Sequence, residues 1–149
     1  MELHWEINSF DELSTSALYA ILQLRSEVFV VEQNCVYLDT DNKDAAAFHL
    51  SGWKGNEIAA YCRVLPPGLS YPEASIGRVA TSIQYRRFGY GRELVTRAVG
   101  FTLHKFECNK ITISAQVYLK KFYESLGFVP VSEIYQEDQI PHIKMQFTV

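Results

Sequence analysis

A chain of 149 residues with 48% hydrophobic and 21% charged residues has ordinary globular composition, which excludes disordered, fibrous and membrane-embedded classes. A net charge of −3 excludes a general nucleic-acid surface, and Cys35, Cys62 and Cys108 together with four scattered histidines offer neither a disulfide framework nor metal-ligand spacing. The start, Met1-Glu2-Leu3-His4-Trp5-Glu6, shows no signal peptide or spanning helix, so the expectation is one cytoplasmic domain over residues 1–149 with no metal, nucleic-acid or membrane partner.

Leu3, Trp5 and Ile7 alternate with polar residues and predict a half-buried strand. Beyond the cap chemistry of Asn8 to Asp11, residues Ala17, Leu18, Ile21, Leu22, Arg25 and Phe29 recur at helical spacing, predicting a helix from about Ser14 to Phe29 or beyond. Asn34 to Ala45 reads as a polar, acidic loop with room for a short second helix. Phe48 to Trp53 and Ile58 to Leu65 flank Lys54-Gly55-Asn56-Glu57 as a hairpin, ended by Pro66-Pro67-Gly68. Ala74 to Thr81 predicts the next strand, and an apolar stripe from Glu93 to Phe106 predicts a long helix. Ile111 to Ala115 is a short β-branched strand, and Val117 to Leu126 a helix that Gly127 stops with a left-handed cap. Phe128 to Tyr135 and Ile143 to Phe147 close the chain as strands about an acidic turn. The order βα(α)βββαβαββ is mixed α/β with a largely antiparallel sheet.

Between the strand ending at Thr81 and the helix lies Gln84-Tyr85-Arg86-Arg87-Phe88-Gly89-Tyr90-Gly91-Arg92. Glycines at a strand-to-helix turn let backbone N–H groups converge on an anion, and arginines add charge-assisted contacts to phosphate oxygens. Five of the seven arginines, Arg78, Arg86, Arg87, Arg92 and Arg97, fall in this region with only Glu93 opposing them. The reverse holds between 32 and 44, where Glu32, Asp39, Asp41 and Asp44 outnumber Lys43, an expected cation end. No Gly-Lys-Ser or Gly-Lys-Thr follows the glycines, which excludes a Walker A loop, and Leu94 stands where a dinucleotide fingerprint needs a third glycine.

Val79 to Gly91, with Arg86, Gly89 and Gly91 in the spacing Gln/Arg-x-x-Gly-x-Gly/Ala, resembles motif A of the GNAT N-acetyltransferases. Ala115-Gln116 and Phe122-Tyr123-Glu124-Ser125-Leu126-Gly127-Phe128 resemble motif B. Leu24 to Cys35, the Asp39 to Asp44 loop and Glu137 to Ile143 are similar to the ElaA-like branch, with Gln139 departing from an expected glycine and Gln116 from the common asparagine. The resemblance implies a sheet whose central strands splay to admit acetyl coenzyme A. It assigns the backbone of Val79 and Thr81 and the side chain of Gln116 to the pantetheine, the amides near Ala80 and Thr81 to the oxyanion, Phe122 to the cofactor site, and Arg86, Arg87, Phe88, Gly89, Tyr90, Gly91 and Arg92 to the pyrophosphate. It also allows a homodimer.

The implied reaction is direct attack by a primary amine of a small cationic or lysine-like acceptor on the thioester. Only about one lysine-type amine in 10³ to 10⁴ is neutral at pH 7, so a proton acceptor is required. Glu32 ranks first, since the preceding apolar run is expected to desolvate it and raise its pKa, followed by His142, with Glu133, Glu137 and Asp138 as further candidates. Tyr123 is the expected donor to the departing thiolate. Cys35 has no basic partner that would make it a nucleophile. Two other readings stand beside this one: a non-catalytic acyl-coenzyme A sensor, and an acyl-homoserine-lactone-type synthase, which the pyrophosphate loop argues against because those enzymes are expected to take acyl carrier protein.

Overall fold

The strand Glu57–Leu65, β3, is buried along seven of its nine residues, as a strand covered on both faces must be. Successive side chains alternate faces, so Ala60 and Cys62 join one core cluster while Tyr61 joins the other. In the computed structural model, which describes residues 2–149, this strand sits inside a sheet of order β1-β2-β3-β4-β5-β8-β6, with β7 also paired to β8. The remaining strands are β1 (His4–Ser9), β2 (Phe48–Lys54), β4 (Ala74–Thr81), β5 (Lys110–Gln116), β6 (Phe128–Pro130), β7 (Tyr135–Glu137) and β8 (Ile140–Thr148). Every pairing is antiparallel except β4 with β5.

Helix α1 (Thr15–Arg25) is capped by Ser14, whose hydroxyl accepts from the Ala17 N–H, and it buries Ile21 and Leu24 with Tyr61 and Ala80 on one face. The predicted extension past Phe29 is present, but as a π-helical stretch over Ser26–Glu32. The expected second helix in the 34–45 loop is reduced to a 3₁₀ turn, Asp44–Ala46. Helix α2 (Tyr90–Lys105) begins three residues ahead of the predicted Glu93 and packs Leu94, Val95 and Ala98 on the other face. The second predicted helix divides into a 3₁₀ turn, Val117–Leu119, and α3 (Lys120–Glu124), which ends before the expected Gly127 at φ +100°.

Two departures position the cleft. Register runs from Tyr61↔Ala80 to Arg63↔Gly77, so β4 passes two residues, Arg78 and Val79, where β3 passes one. Arg78 takes φ +53°, a β-bulge that bends β4. Strands β4 and β5 then pair only at Ala74↔Ile111 and Ser75↔Thr112, while β5 holds β8 over seven residues. Beyond Ser75 the two central strands part. The single closing strand expected over Phe128 to Tyr135 is divided: β6 stops at Pro130, and Ser132 then caps the Lys144 N–H with its hydroxyl.

Candidate functional site

The parted strands open onto two cavities. The first, of about 770 Å³, runs along β4 to the start of α2 and is lined by Val79, Ala80, Thr81, Arg86, Arg87 and Gly89 to Arg92, with Gln116, Phe122 and Tyr123 on the far wall. Past Ser75 the β5-facing edge of β4 has no strand partner, so its peptide groups can pair with a bound extended chain.

Gly89 caps α2 with φ +79°, two residues after Arg87 at φ +70°. Such a run gathers N–H groups into a concavity that suits an anion. The Glu93 N–H donates to the Gly89 carbonyl at 3.1 Å, so the N–H groups of Gly91 and Arg92, ahead of it, have no acceptor within the helix. A β-carbon at Gly91 would stand at contact distance from two other groove-lining residues, 3.6 Å from Thr81 Oγ1 and 3.9 Å from Phe122 Cζ. Arg87 and Arg92 have no carboxylate partner among the described residues, and Arg92 donates only to Ser125 Oγ at 3.0 Å. These features fit a pyrophosphate. The Phe88 side chain is 57% exposed and stacks on Tyr90, so the role expected of this residue falls to its backbone amide.

The arginine cluster read from the sequence divides three ways. Arg78 turns back to Asp39 at 2.8 Å, Arg97 pairs with Glu93 at 2.9 Å, and Arg86 forms a two-pronged pair with Glu32 at 2.6 and 2.7 Å. Glu32 thereby departs from expectation. Arg86 hydrogen bonds hold its carboxyl below the ordinary range, and the carboxylate is 41% exposed rather than desolvated.

The acidic stretch is corrected as well. Asp39, Asp41 and Asp44 do not present a cation site, because Arg25, Arg63 and Arg78 consume them: Arg25 reaches Asp39 and Asp44 at 2.7 Å each, and Arg63 reaches Asp41 at 2.5 Å and Asp44 at 2.9 Å. Arg25 is fully buried and Arg63 nearly so.

The second cavity, of about 530 Å³, shares Val28, Gln33, Val79, Gln116, Tyr123 and Ile140 with the first. The π-helical stretch places Val28 and Phe29 on this cavity and Glu32 on the groove. Gln116 exchanges hydrogen bonds with Gln33 at 3.0 and 3.3 Å across the wall between the cavities, a partner the sequence did not reveal. Tyr123 is 6% exposed and packs edge-on against Phe122 and Phe128. Burial pushes its hydroxyl pKa up, so it remains a hydrogen-bond donor at any working pH.

His142, on β8 opposite Gln116, accepts no proton at Nδ1, which donates to the Ile140 carbonyl at 2.7 Å. Its Nε2 faces Glu137 Oε2 at 3.4 Å, and its ring stacks on Tyr135. Cys35 lines the same cavity with its thiol 3.4 Å from the Asp138 carbonyl. Glu133 lines neither cavity. Sequence reasoning also passed over Lys43, Ser70 and Tyr71, which line the second cavity from loops without any recognisable spacing.

A bulged, parted sheet with an anion cradle at the helix start defines an acyl-coenzyme A-dependent acyltransferase of the GNAT fold. The chain belongs to the acetyltransferase (GNAT) family, whose domain model matches residues 21–149, and within it to the ElaA-like branch. It is 42% identical to Protein ElaA of Escherichia coli K12 over 145 residues, covering 96% of this chain and 95% of that protein. An acyl-CoA N-acyltransferase of Pseudomonas aeruginosa superposes with TM-score 0.93 at 39% identity, over 98% of this chain and 99% of that one. A coenzyme A-dependent acyl-homoserine lactone synthase, solved with SAM and isopentyl-CoA, shares the fold at TM-score 0.78 and 15% identity, over 99% of this chain and 82% of that one. That neighbour removes the argument that a pyrophosphate loop excludes synthases of its kind.

Proposed function

We propose that the chain is an acetyl coenzyme A-dependent N-acetyltransferase acting on the primary amine of a small cationic or lysine-like acceptor within a ternary complex. The observation that carries this reading is the meeting of two cavities at the parted ends of β4 and β5, one with the phosphate cradle and one with a proton-accepting pair. Arg87, Arg92 and the amides opening α2 hold the pyrophosphate, and the free edge of β4 holds the pantetheine.

The cosubstrate supplies an activated thioester carbonyl. The acceptor amine nitrogen forms the new bond to that carbon, the carbon–sulfur bond breaks with its electron pair leaving on sulfur, and the ammonium proton must depart. The Nδ1–H of His142 donates to the Ile140 carbonyl, so it is the neutral ring that presents an Nε2 lone pair beside the Glu137 carboxylate. Two acceptors 3.4 Å apart make this the place where an ammonium loses its proton. Glu32, held by Arg86, becomes a positioning residue for that arginine, and His142 takes precedence over it as base. Tyr123, with its raised pKa, stabilises the departing thiolate by hydrogen bonding rather than by surrendering its proton.

Incubation with acetyl coenzyme A and a panel of amines, following free thiol, tests the reading. Thiol release dependent on a primary amine is expected. Coenzyme binding without release above hydrolysis for any amine overturns it and favours a sensor.

A further inference from the structure

We propose that the second cavity is built for a dipolar acceptor, with the amine to be acylated at the Glu137–His142 end and a carboxylate several bonds away held by Lys43 at the other. The inference rests on the acyltransferase reading and adds the acceptor's second charge.

Lys43 stands apart from the other cations lining this cavity. Arg63 and Arg78 are neutralised by the aspartates of the 39–44 loop, whereas the half-buried Lys43 ammonium donates to Ser70 Oγ at 2.8 Å and has no carboxylate partner among the described residues. An ammonium partly removed from water, with one hydroxyl for company, retains donors for an anion. Ser75 and Arg63 line the same cavity, and Arg63, 4% exposed, keeps a buried Nε–H without a hydrogen-bond acceptor.

The opposite end has the reverse character. Glu137 and Asp138 line it without a lysine or arginine partner among the described residues, and His142 Nε2 completes an arrangement that accepts hydrogen bonds. This end adjoins Gln116, on the wall shared with the coenzyme groove, so the amine arrives where the thioester lies.

The separation selects among amines. The cavity wall runs from Ser75, which pairs with Thr112, to Gln116, which pairs with His142, four residues and about 13 Å along β5. An α-amine, one carbon from its carboxylate, cannot reach from one end of that length to the other. The fit is to an ω-amino acid or to the side-chain amine of a diamino acid.

Titration calorimetry on coenzyme A-saturated protein, comparing 6-aminohexanoate and lysine with cadaverine, provides the test. The two carboxylated amines are expected to bind at least about tenfold more tightly than cadaverine. Lys43→Gln, shown to be folded by circular dichroism, should bring that ratio near one, and Lys43→Arg should retain it. Equal or tighter binding of cadaverine, or a preference that survives Lys43→Gln, overturns the proposal. Thiol release separates the two readings: turnover of cadaverine with no carboxylate preference overturns the dipolar site alone. A carboxylate preference in binding, with no release from any amine, supports the site and overturns acyl transfer.

Discussion

At the scale of single residues, the chemistry depends on which groups the fold leaves unpaired. Tyr123 is buried among Phe122 and Phe128 with its pKa raised, so Tyr123→Phe removes a hydrogen-bond donor without removing an ionisation. A kcat lower by about 10- to 100-fold is expected, with an unchanged KM for the cosubstrate and the same fractional loss from pH 6 to 9. A loss confined to one limb of the pH profile would count against that role. His142→Ala should lower kcat by on the order of 10²-fold, while Glu32→Gln should leave the shape of the pH profile intact, because the Arg86 pair already keeps Glu32 ionised. The glycines and arginines of the cradle were legible in sequence, since few residue types tolerate that backbone or bind phosphate. The pairing of Glu32 with Arg86, 54 positions apart, was not, because it depends on how two elements meet.

At the scale of elements, local spacing predicted existence better than form. The helix ending in Ser26–Glu32 was legible as helical, but its π geometry was not, because apolar periodicity does not report a widened turn. The β7–β8 hairpin shows a residue-type conflict that can be measured. Asp138 and Gln139 sit at φ +51° and +66°, a two-residue turn in which the second position ordinarily belongs to glycine. Gln139→Gly is expected to stabilise the fold by about 1 kcal/mol in urea unfolding, since relief of left-handed strain exceeds the entropy glycine adds to the unfolded chain. No change, or destabilisation, would show that the turn carries no such strain.

Across the whole molecule, the 39–44 loop is held to the sheet by three arginines from three different elements. Arg25→Ala leaves Asp39 and Asp44 in a largely buried site without their fully buried partner, and a loss of about 3 to 5 kcal/mol is expected by chemical denaturation. Burial works against the charge on Asp41 and Asp44, but hydrogen bonds from Arg63 and Arg25 prevail and hold both carboxyls below the ordinary range. Their contribution to stability is thus complete above the unfolded carboxylate pKa, about 3.9, and lost as pH falls below it toward the folded values. Acid unfolding should therefore be displaced to higher pH in Arg63→Gln, and an unshifted acid midpoint would refute the linkage. By itself the sequence determined the order of elements, the phosphate cradle and the family, because turn chemistry, periodicity and motif spacing are local properties. Only the tertiary structure decided that the acidic segment is an internal clamp, that Glu32 neutralises Arg86, and that Lys43 is left with a charge to offer. Charge compensation is settled by distances across the sheet, to which sequence order is blind.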